Sequence, residues 1–102
     1  MDLTEAIKKV ESEWAPDTGF FWNLRQGNFK SAAMRRALDA IASIPTPTEP
    51  QLPTRLVALL WYIPMFMEWQ SDRVRECGAN VANYQIATSK FTREVERILG
   101  VP

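Results

Sequence analysis

Residues Leu56 to Met67 read LVALLWYIPMFM, the longest uncharged apolar run in this chain of 102 residues. As a helix the run would extend about 18 Å at ~1.5 Å per residue. That is too short for a bilayer core of ~30 Å, and Pro64 interrupts it. Leu56, Leu59, Leu60 and Ile63 share one stripe, yet the run is apolar on most sides. A helix that is apolar all round is buried all round, so the run predicts a central helix wrapped by the others, with Trp61 in the core. The element is expected over about 54–77, capped by Thr54 and kinked at Pro64, or restarted there with proline in the first turn. Met65, Trp69, Asp72, Val74 and Glu76 restore mixed polarity, and Gly78 is a natural stop.

Working towards the N-terminus, Pro45 to Pro53 (PTPTEPQLP) holds four of the seven prolines. Proline lacks the amide donor and restricts the residue before it, so 45–53 reads as an extended connection. Neither flank has enough residues to fold well alone, which makes 1–102 one domain. Before the connection, Asn28 is placed to cap a helix from about Phe29 to Ile44 whose Ala33, Ala37, Leu38, Ile41 and Ile44 suit burial. Phe20 to Gln26 predicts a short helix capped by Asp17 or Thr18 and closed by Gly27. Asp2 with Glu5 has the form of a capping box. Leu3, Ile7, Val10 and Trp14 then give one helical face, ended by Pro16-Asp17-Thr18-Gly19. Towards the C-terminus, a last helix is expected from about Asn80 to Leu99. No repeat and no strand-like alternation interrupts this series. The expectation is all-α: a compact bundle of five or six helices in a single domain.

Twelve basic and twelve acidic residues cancel, giving no electrostatic reason to expect nucleic acid or anionic lipid as a partner. Histidine is absent, so the commonest acid/base group and metal ligand is missing. Cys77 is the single cysteine. It falls late in a predicted helix, where the dipole raises a thiol pKa instead of activating it. The four glycines are scattered and form no phosphate loop. Glu68 and Asp72, four apart, would share a helix face, but Arg73 and Arg75 stand beside them and a two-metal site needs more ligands. The expectation is therefore a protein without catalysis, metal, cofactor or small-molecule substrate. The acidic N-terminus has no signal-peptide character, so the cytoplasm is the expected compartment.

Charge is nevertheless uneven. Residues 1–24 hold five acids against two bases, a net of minus three. Glu11, Glu13 and Asp17, facing outward together, would suit a basic partner and speed its encounter. Glu68 and Asp72 form a second candidate patch. Trp14, Trp22, Trp61 and Trp69 are many for this length. Tryptophan serves both core packing and binding hot spots. Core is the expectation for each, although Trp14 and Trp22 flank the acidic turn.

Two stretches, Asp17–Phe29 (DTGFFWNLRQGNF) and Leu59–Gln70 (LLWYIPMFMEWQ), together with the ending ILGVP, resemble small helical immunity proteins of bacterial contact-dependent growth inhibition and related polymorphic toxin systems. The resemblance implies binding to the C-terminal toxin domain of a large secreted protein, by covering its active site or blocking its substrate cleft. Many such toxins are nucleases with basic clefts, whereas this chain is neutral, so the implied partner is less basic or the acidity is confined to one face. Two alternatives belong to other classes. One is a helical adaptor or oligomeric subunit with no toxin partner. The other is a nucleic-acid binder using Arg25, Lys30, Arg35 and Arg36.

Overall fold

The computed structural model describes residues 3–102; the capping box that involves Asp2 lies outside them. Seven helical segments and no strand occur among the described residues: α1 (Leu3–Ser12), α2 (Phe20–Arg25), α3 (Ser31–Ala42), α4 (Thr54–Leu60), α5 (Ile63–Trp69), α6 (Ser71–Glu76) and α7 (Val81–Leu99). Segments α4, α5 and α6 follow one another almost without pause. Trp61, Tyr62 and Gln70 between them keep right-handed helical dihedrals. Taken as one kinked element, they leave five helices in an all-α bundle, as expected. Pro64 lies in the first turn of α5, where its missing N–H has no helical acceptor to lose.

Local chemistry sets most of the boundaries. Helix α2 ends at Gly27 with φ of 84°; Gly27 N–H donates to the Leu24 carbonyl and Asn28 N–H to that of Asn23, the paired bonds of a Schellman motif. Gly78, at φ of 95°, closes α6 with the same two bonds, to Arg75 and Val74. Asn80 caps α7 by accepting the Asn83 N–H at 3.0 Å. Asn28 does not cap α3: its N–H closes α2, and α3 starts at Ser31 with Lys30 in the cap position. Pro53, not Thr54, holds the cap position of α4.

One core gathers residues from both sides of the proline-rich connection. Helix α2 drives Phe20 and Phe21 into it. Phe20 stacks on Phe91 of α7 at 5.5 Å, and Phe21 stacks on Trp14 at 4.5 Å, with Phe66 of α5 edge-on to Trp14 at 5.0 Å. Trp14 also donates its indole N–H to the Leu59 carbonyl at 3.2 Å. Helix α7 packs against α3, α5 and α6, while α1 lies on α3 and α4.

The molecule measures 42 × 29 × 19 Å. Its shortest dimension is about two helices thick, so no helix here is surrounded on every side. That corrects the sequence expectation for 56–67. Leu56, Leu59, Leu60, Ile63, Phe66 and Met67 are buried, but the opposite face of the same segments is open, and Trp61 stands 53% exposed.

Candidate functional site

The open face carries the most distinctive surface of the protein. Trp61 at the end of α4 and Met65 and Trp69 on α5 recur every four residues, and are 53%, 37% and 61% exposed. Half-buried Tyr62 sits between the two tryptophans, with ring centroids 5.4 Å from Trp61 and 5.7 Å from Trp69. The rings therefore support one another as a continuous aromatic ledge, held from below by Tyr62 against Trp14 and Phe66 at 6.3 and 5.9 Å. Fixed aromatic side chains lose little conformational entropy on binding, one reason they dominate interaction hot spots.

Acidic side chains line one edge of the ledge. Glu68 and Asp72 are both exposed, one turn apart on successive segments, with exposed Glu76 a further turn along. Asp72 pairs with Arg75 at 3.0 Å, with both side chains in water. An exposed pair of this kind is worth little and exchanges readily for a better partner. The fold thus places the second candidate patch beside an apolar surface, an association that hydropathy did not reveal. The ledge itself escaped the sequence reading because Trp61 and Met65 alternate with core positions in one unbroken apolar run, while Trp69 lies beyond it after Glu68. The available signal was the spacing of four, which sets Trp61, Met65 and Trp69 apart from the stripe through Leu56, Leu60 and Ile63.

The first candidate patch is not a single surface. Glu13 turns inward and is 3% exposed. Its carboxylate accepts from Arg36 Nε at 2.7 Å and from Nη2 at 2.7 Å, a two-point fork characteristic of guanidinium–carboxylate pairs. It also accepts the Phe20 N–H at 3.1 Å, while the Glu13 carbonyl accepts the Phe21 N–H at 2.8 Å. Gly19 holds the cap position of α2 without a side-chain bond, so Glu13 satisfies the first amides of the helix from outside it, the work expected of Asp17 or Thr18. Gly19 makes this approach possible, since a Cβ there would lie 2.4 Å from the Glu13 carbonyl oxygen. Hydrogen bonding to Glu13 raises the Arg36 pKa against the opposing effect of burial, with a smaller Coulombic contribution. Glu11 faces outward and binds Arg55 of α4 at 2.7 Å. Asp17 is exposed at the turn with φ of 70°.

The basic candidates are likewise divided. Arg36 serves Glu13, and Arg25 lies over the Phe66 ring at 5.3 Å. Cys77 is exposed beside Gly27. No group of three or more acidic, cysteine or histidine side chains placed to hold a metal occurs among the described residues. No helix there is long and apolar enough to cross a membrane. Neither a protein-family model, nor a curated protein, nor a solved structure matches this chain.

Proposed function

We propose that this chain is an immunity protein that acts in the cytoplasm by binding the C-terminal toxin domain of a large secreted protein and occluding its active site or substrate cleft. The observation that carries the reading is the ledge: Trp61, Met65 and Trp69 exposed in a row, with Glu68 and Asp72 along one edge. Apolar anchors beside unburied carboxylates suit a protein surface that is itself apolar at the centre and basic at the rim. Occlusion requires no catalytic group, metal or cofactor of the inhibitor. Glu11, paired with Arg55, and Asp17, exposed at its turn, lie outside this reading; Glu13 belongs to the fold.

The test is a tagged chain recovered gently from its native strain, compared with a variant carrying Trp69→Ala and Glu68→Lys. The expected result is one toxin-like fragment at equal stoichiometry, lost at least tenfold by the variant, as about 1.4 kcal/mol at a hot spot would require. Recovery of the chain alone, or of a housekeeping complex, replaces this reading with that of a helical adaptor or oligomeric subunit.

A further inference from the structure

Ile86 on α7 is 55% exposed, a large apolar side chain on a helix that the ledge does not use. It borders a cavity of about 180 Å³ between α3 and α7, with Phe29, Met34 and Ala87 as further apolar walls and Arg35 and Lys90 as basic ones. We infer that this cavity is a binding site for a small amphiphilic carboxylate, its apolar body lodged between the helices and its charged head between Arg35 and Lys90. The site shares no residue with the ledge, so the inference stands apart from the toxin reading.

The two helices run in parallel. Phe29, just before α3, meets Tyr84 of α7 edge-on at 5.1 Å, and Arg97 towards the other end of α7 donates to the Ile41 carbonyl at 3.2 Å. That direction sets Met34 and Arg35 of α3 across from Ile86 and Lys90 of α7. Ile86 and Lys90 are four apart, the spacing that puts two side chains on one helix face. Buried Ala87 contributes only a methyl group to the wall, and the space stays open. A cavity of about 150 Å³ holds a benzene ring, so this one accommodates an apolar body of about six carbons.

Charge selects the head. The ion pairs among the described residues engage Arg36, Arg55, Arg75 and Arg97, and leave Arg35 and Lys90 without a carboxylate. The acids one helical turn beyond them do not fill the gap. Glu94 is held by Arg97 at 2.7 Å, and Asp39 lines the neighbouring groove between α1 and α3, not this cavity. Among the described residues no carboxylate lines the cavity at all. A guanidinium offers a carboxylate two parallel hydrogen bonds, and the lysine ammonium adds a second positive charge. Two cations around so small a space suit one anionic head, not the run of phosphates in a nucleic acid.

Benzoate, an aromatic ring with one carboxylate, is the probe. The full chain is titrated with it into the millimolar range and followed by ¹H–¹⁵N NMR. The expected result is saturable movement of amide signals from residues 29–35 and 83–90. Benzyl alcohol, the ring without the charge, and acetate, the charge without the ring, bind about tenfold more weakly. Arg35→Gln and Lys90→Gln each weaken benzoate binding about threefold, as exposed charges do. Far-UV circular dichroism on both variants shows that the fold is kept. Absence of saturable change, or signals that drift across the whole surface, overturns the inference. Equal binding of either control, or binding indifferent to both substitutions, overturns it as well.

Discussion

Tyr84 brings a hydroxyl into the core and is 1% exposed, donating to the Met67 carbonyl at 2.6 Å. Burial pushes its phenol pKa well above the ordinary value, because the charged form would lose its hydration. The folded pKa is therefore above the unfolded value of about 10. The stabilisation is complete below pH ~10 and is lost as pH rises through the folded pKa. Urea unfolding should show stability falling from about pH 10 upward. Tyr84→Phe should cost about 1 kcal/mol at neutral pH and flatten the alkaline decline, and identical alkaline profiles in the two proteins would refute this. Single residues were unevenly legible in the sequence. Gly27, Gly78 and Asn80 announced helix ends because their work is done within a few neighbours. Glu13 gave no such notice, since its partner Arg36 is 23 positions away and nothing local distinguishes an acid that faces a guanidinium from one that faces water.

Between elements, the Glu13–Arg36 pair does more than join two side chains. One carboxylate, carried just beyond α1, holds Arg36 of α3 and the first amide of α2, and the same guanidinium reaches the Thr18 carbonyl at 3.1 Å. Arg36→Ala leaves a buried carboxylate with a single backbone donor, and removing one member of a buried pair typically costs ~3 kcal/mol. Because Arg36 is itself half in water, Glu13→Ala should cost less, about 2 kcal/mol for the lost amide bond and fork. Chemical denaturation ranks the two, and the reverse order would show that the carboxylate is not the group in need of its partner. A lysine at Glu13 is consequently no test of binding, whereas Glu11 and Asp17 can be reversed without entering the core. Helix type and the proline-rich break were legible because periodicity and missing amide donors are properties of short windows. The open side of 56–67 was not. Hydropathy counts apolar residues and is silent on how many neighbours are available to cover them.

Across the whole molecule the two sides of the 45–53 connection share the Phe20–Phe91 stack and the Trp14–Leu59 hydrogen bond. Unfolding should therefore be a single transition, with tryptophan fluorescence and far-UV circular dichroism coinciding in urea. Two separated midpoints would show that the halves melt independently. A thickness of 19 Å also explains why the surface and the core are interleaved within one segment: every helix has an inner and an outer face. The residues that hold the fold, Leu56, Leu60, Ile63 and Phe66, and those offered outward, Trp61, Met65, Glu68 and Trp69, alternate along one short stretch without sharing a position. Mutation can therefore rewrite one set while selection preserves the other. That separation lets the outward surface diverge on an inherited scaffold, with each trial exposed to selection for what it presents and not for whether it still folds.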